Sequence, residues 1–184
     1  MASSFTINVK VYNGNNTGVV AHFSSPTDSS VTNTLSLGAS SSGTATITTT
    51  EYKGTINCYL SATGYDNSSS SSFSYEYNPL DDVELSYNGG LNTSTGSYEA
   101  LVSLKNNSNY NLVFQPSSTG YLDGDTLSLK SSSAVDFKRN QTITPFNLGE
   151  CDSSATVKIN LIATWTLEGS TKTSSKTLTA TIPN

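Results

Sequence analysis

The sequence predicts an all-β protein, arranged as two tandem immunoglobulin-like β-sandwiches. Apolar residues recur at every second position in short segments, and Ser, Asn and Gly clusters separate those segments. The chain's polarity comes from hydroxyls. Charged residues make up only 12% of it, while Ser and Thr together supply roughly a third, well above ordinary usage. No stretch of ten residues carries a helical period. Thr favours strands, and Ser and Asn favour turns, so this composition suits thin sandwiches with many loops. Disordered chains of such low hydrophobicity normally carry high charge, which is lacking here.

Taken in order, Phe5 to Tyr12 alternates Ile7, Val9 and Val11 against Thr6, Asn8 and Lys10, and then turns at 13–16. Val19 to Phe23 is a second strand, residues 26–33 a polar loop, and Thr34 to Leu37 a brief third strand. Gly43 to Asn67 is the most legible stretch. It holds a strand from Thr44 to Thr49, a turn at Lys53-Gly54, and a strand with Ile56, Cys58 and Leu60 on one face. Gly64 ends that strand. Phe73, Tyr75 and Tyr77 alternate after a serine-rich loop, giving about seven strands in the first half. Asn78-Pro79-Leu80-Asp81-Asp82 reads as a solvated acidic boundary between domains 1–78 and 79–184, because proline cannot donate to a ladder.

The second half opens with Val83, Leu85 and Tyr87, and then a Gly89-Gly90 turn. Tyr98, Ala100, Val102 and Leu104 alternate cleanly; Leu112 to Phe114, Leu127 with Leu129, and Val135 with Phe137 are shorter strands. Val157, Ile159, Leu161, Ala163, Trp165 and Leu167 form the longest alternation. A turn at Glu168-Gly169-Ser170 then leads to Leu178, Ala180 and Ile182 facing inward. A single larger sandwich or jelly roll is the alternative architecture.

The net charge is −5 and the pI about 4.6. The cations are scattered, and Arg139 is the only arginine, which argues against nucleic-acid binding. No run of about 18 apolar residues is present to span a membrane. Met1 is followed by Ala-Ser-Ser-Phe-Thr with no basic or apolar leader pattern, so no export signal is expected. Cys58 and Cys151 are expected to be two buried free thiols, with a disulfide between them the alternative. The five Asn-x-Ser/Thr sequons, at Asn15, Asn67, Asn92, Asn106 and Asn140, are near chance in so Asn-rich a chain.

Candidate chemistry is sparse. His22, the only histidine, has no partner at metal-ligand spacing and reads as a satisfied or surface residue. No GxSxG or CxxC occurs, so no catalytic residue, cofactor or metal is assigned. The carboxylates are the weak candidates. Asp123 and Asp125 form a DxD turn with oxygens suited to calcium, without the full EF-hand spacing. Asp81 and Asp82, with Glu84 and Glu76, could clamp a cation between domains. Of the ten tyrosines, Tyr75 and Tyr77 are expected to cover the sheet. Tyr59 and Tyr65 are expected to be exposed, where aromatic area with a polar tip suits a sugar or protein partner.

Gly18-Val19-Val20-Ala21, Gly43 to Ile47, Gly54 and Ala62-Thr63-Gly64-Tyr65 give residues 5–77 a pattern. That stretch resembles the transthyretin-like or carboxypeptidase-regulatory-like sandwich, though it lacks the usual proline before the second strand. The resemblance implies a module that binds or spaces other proteins and has no active site. Two such sandwiches in a short chain also resemble the decoration or head-fibre proteins of tailed phages, and Arg-poor, Asn/Lys/Tyr-rich usage suits an AT-rich phage genome. The expectation is a non-enzymatic auxiliary protein on the capsid surface. Its partners would be the major capsid protein or other virion proteins, with weak glycan contact besides. The alternatives are a bacterial surface adhesin or pilus-like subunit, a carbohydrate-binding accessory module, and a two-carboxylate glycosidase using Asp123 and Asp125.

Overall fold

A computed structural model describes residues 4–151 and 154–182. The fold is all-β, and among the described residues every strand pair is antiparallel and a single short 3₁₀ turn occurs. The chain divides into two compact units, Met1–Tyr77 and Asn78–Asn184.

Among its described residues the first unit has six strands rather than about seven: β1 (Phe5–Tyr12), β2 (Val19–Ser24), β3 (Thr32–Leu37), β4 (Ser42–Thr49), β5 (Lys53–Ser61) and β6 (Ser71–Glu76). β1 pairs with β4, and a second sheet runs β3-β2-β5-β6. Alternation puts Ala21, Phe23, Ala45, Ile47 and Ile56 in the core, and Val31 joins them from the loop before β3. Lys53 and Gly54 are not the turn; they begin β5, where Gly54 pairs with Tyr75. A Cβ at Gly54 would stand 3.0 Å from the Tyr75 hydroxyl, so this glycine makes room for a cross-strand ring. Cys58 and Leu60 pack half-buried against the core.

The second unit begins with a 3₁₀ turn, Pro79–Asp82, in which Asp81 and Asp82 are exposed. Asn78 caps it by accepting the Leu80 amide at 3.0 Å, and Leu80 is fully buried. Among the described residues ten strands follow: β7 (Val83–Leu91), β8 (Tyr98–Asn106), β9 (Leu112–Phe114), β10 (Thr119–Leu122), β11 (Asp125–Leu127), β12 (Val135–Phe137), β13 (Thr142–Ile143), β14 (Gly149–Cys151), β15 (Ala155–Leu167) and β16 (Ser170–Ile182). One sheet runs β11-β10-β15-β9-β12 with β16 on the other side of β15. The other runs β13-β8-β14 with β7 also on β8.

β15 buries Val157, Ile159, Leu161, Ala163, Trp165 and Leu167, opposite Ala100, Val102 and Leu104 of β8, all fully buried. Gly89 and Gly90 are strand residues paired with Ala100 and Glu99, not a turn; the chain reverses beyond Leu91 instead. Glu168 and Gly169, both at positive φ, form the two-residue loop between β15 and β16. Leu178 and Ala180 are half-buried, and the side chain of Ile182 lies outside the described residues.

On the outer face of that hairpin the register sets Thr156 beside Thr181, Asn160 beside Thr177, Thr164 beside Thr173 and Thr166 beside Thr171. Among the described residues β16 pairs with β15 alone. At its middle, Asn78 Nδ2 donates to the outward Ser175 carbonyl at 3.1 Å. Lys176 Nζ reaches Asp81 Oδ1 at 3.1 Å.

Candidate functional site

The DxD pair sits on the tight turn between β10 and β11. Asp123 and Gly124 both have positive φ, 51° and 94°, as a two-residue hairpin loop requires. The Asp123 amide donates to the Thr156 carbonyl at 2.9 Å, and the Thr156 amide returns a bond to Asp123 Oδ1 at 2.7 Å. One carboxylate oxygen is thus committed to holding the turn against the start of β15. Asp125, the first residue of β11, is exposed.

β14 pairs with β8 in the register Gly149↔Ala100, Glu150↔Glu99 and Cys151↔Tyr98. Gly149 also lets β14 lie close against β10 and β11: a Cβ there would lie 2.5 Å from a Leu127 methyl and 2.8 Å from one of Leu122. The result is an open cleft of about 590 Å³ lined by Tyr98, Asp123, Asp125, Glu150 and Cys151. Tyr98 is 43% exposed. An aromatic face beside three carboxylates can accept hydrogen bonds from a polyol or attract a cation. Among the described residues no three His, Cys, Asp or Glu side chains converge closely enough to hold a metal ion.

The other carboxylates are dispersed. Asp81 is paired with Lys176, Glu84 Oε2 accepts from Asn107 Nδ2 at 3.2 Å, and the Asp82 carbonyl accepts the Asn107 amide. Glu76 lies on the exposed face of β6 in the first unit. Cys58 and Cys151 are half-buried, less enclosed than expected, and neither is in a disulfide. Burial pushes the Cys58 thiol up.

His22 Nε2 lies 2.8 Å from Ser61 Oγ, and its ring stacks on Tyr59 with centroids 4.6 Å apart. Tyr59 is half-buried and Tyr65 is 70% exposed. Tyr75 packs on the core, and Tyr77 contacts Phe5 with rings 5.1 Å apart.

Sequence reasoning passed over Asp28 altogether, because it lies in a polar loop. Its carboxylate accepts from Ser30 Oγ, the Ser30 amide (2.9 Å), Thr49 Oγ1 (2.7 Å), the Thr50 amide (2.7 Å) and Thr50 Oγ1 (3.0 Å). These donors, the Ser30 hydroxyl foremost, hold its pKa far below the usual carboxylate range. Tyr75 OH, 3.1 Å from Thr49 Oγ1, donates to the Glu51 carbonyl at 3.2 Å and extends the network. Asp28 therefore ties the β2–β3 corner to the end of β4, one sheet of the sandwich to the other. An Asp flanked at short range by Ser and Thr was the available signal.

No protein-family model matches the chain, and no curated protein matches it.

Proposed function

We propose that the chain is a non-enzymatic structural protein of a tailed-phage particle, an auxiliary protein that decorates the capsid surface. The observation that carries this is the outer face of β15 and β16, a ladder of threonines with one serine and one asparagine, broken only by Lys158 and Ile162. Hydroxyl-covered strands of this kind suit packing against a repeated protein surface through hydrogen bonds, since they carry little charge to steer a small ionic ligand. The groups capable of chemistry support the same reading: His22, Asp28, Asp81 and Asp123 each hold neighbouring segments in place. The Arg-poor residue usage and the resemblance of residues 5–77 to spacer and binding sandwiches agree with a mechanical role. A stable contact with the major capsid protein would bury roughly 1,000 Å² or more.

Protein quantitation of purified particles tests the reading. This chain should be present at a copy number that is a simple fraction of that of the major capsid protein. Particles lacking it would end the proposal.

A further inference from the structure

At one end of the first unit, the loop after β1 and the loop after β5 enclose a concavity of about 380 Å³. Its floor is apolar, with Val19 and Leu60, and its rim carries Asn15, Asn16, Thr17, Ser61, Tyr65 and Asp66. Both walls are fixed in advance. Asn13, only 1% exposed, donates through Nδ2 to the carbonyls of Thr17 (2.9 Å) and Gly38 (2.7 Å) and accepts the Asn15 amide at 3.0 Å. The Ser40 amide then bonds the Asn15 carbonyl at 2.9 Å. On the opposite wall, the Ser68 amide bonds the Leu60 carbonyl and the Leu60 amide bonds Ser68 Oγ. Gly64, at φ +82°, turns the chain so that Tyr65 stands at the rim.

We infer that this concavity is a saccharide-binding site. Tyr65 is the most exposed aromatic ring described, at 70%, and so contributes little to folding. An exposed tyrosine offers a flat apolar face and a polar tip, which match the C–H face and hydroxyls of a pyranose. The amides of Asn15 and Asn16, the hydroxyls of Thr17 and Ser61 and the Asp66 carboxylate can donate or accept as sugar hydroxyls require. No lysine or arginine lines the hollow, so phosphate, sulfate and other anions are disfavoured. The volume has room for about one or two pyranose rings. Because the loops are already held in place, binding incurs little ordering cost. A small neutral ligand of this size should still bind weakly, with a Kd on the order of 1–10 mM.

The inference does not depend on the particle assignment. The isolated chain tests it, and particle composition tests the other, so either can fail alone. Amide NMR spectra would be recorded during titration with glucose, galactose, mannose and N-acetylglucosamine to about 50 mM, several-fold above that Kd. At least one sugar should shift the amides of residues 13–18 and 61–68 in a saturable way. Tyr65→Ala, whose remaining spectrum confirms folding, should weaken that sugar about tenfold, and Asn16→Ala should weaken it several-fold. Tyr98→Ala, at the cleft of the second unit, should leave it unchanged. No saturable shift with any of the four sugars would overturn the inference. So would a shift that survives Tyr65→Ala, or a larger response of the same amides to inorganic phosphate.

Discussion

Asn13 and Asn106 share three matching side-chain bonds, one set in each unit, and Asn106 Oδ1 also accepts the Ser108 hydroxyl at 2.7 Å. Each accepts the amide two residues on through Oδ1, Asn15 in one case and Ser108 in the other. Each donates through Nδ2 to the carbonyl four residues on, Thr17 or Tyr110, and to a distant strand or loop, Gly38 or Phe137. Both are buried, Asn106 completely. A side-chain amide with two donors and an acceptor suits a strand end where the backbone leaves its ladder with groups unpaired. The burial of Asn106 also removes it as a glycan acceptor, although it heads an Asn-x-Ser sequon.

Asn106→Ala should destabilise the second unit by roughly 2–4 kcal/mol, since it takes the buried donor from the Phe137 carbonyl and the buried acceptor from the Ser108 amide, while the Tyr110 carbonyl keeps Ser108 Oγ at 3.2 Å. Asn106→Asp should be at least as costly, because it sets carboxylate oxygen against those two carbonyls. Urea titration followed by the fluorescence of Trp165, which is 3% exposed and lies in the same unit, reads the loss directly. A midpoint within error of the parent would show that the amide is dispensable.

Asp28 makes the first unit sensitive to acid. Its folded-state pKa is depressed, so the stabilisation is complete above the ordinary carboxylate value of about 3.9. It is lost progressively as pH falls below that value toward the folded one. Thermal melts at pH 7 and near pH 2.5 should therefore show the unit weakening in acid. Asp28→Asn, which retains one acceptor but no charge, should melt about 5–10 °C lower at neutral pH. The gap to the parent should narrow in acid. A constant gap across that range would exclude linkage through Asp28.

Asp123 separates a turn role from a ligand role. Asn tolerates the left-handed φ of 51° and can still accept the Thr156 amide. Asp123→Asn should therefore melt within about 2 °C of the parent, whereas Asp123→Ala should lose roughly 1–2 kcal/mol. Equal losses in both variants would mean that the charge itself stabilises the turn.

The strands were legible wherever period two ran for five or more residues, as from Val157 to Leu167. They were illegible where pairing is too brief to show a period: Thr142–Ile143, Gly149–Cys151 and Thr119–Leu122 are fixed by neighbours distant in sequence. That is also why Glu150 was missed at the cleft while Asp123 and Asp125 were not. Gly89 and Gly90 misled for the opposite reason, since glycine signals a turn locally while nine successive pairs with β8 keep it in a strand. Asn13 and Asp28 looked like ordinary turn residues because their partners, Gly38 and Thr49, belong to other parts of the chain.

The Asn78–Ser175 bond bears on how the protein behaves when crowded. A thirteen-residue strand with one open side is a template on which another copy could extend the sheet indefinitely. Asn78 occupies an outward carbonyl at the middle of that side, and the neighbouring ion pair of Lys176 with Asp81 places charge beside it. An incoming strand would have to displace both. The longest hairpin in the molecule can thus be displayed at high local density without seeding fibres.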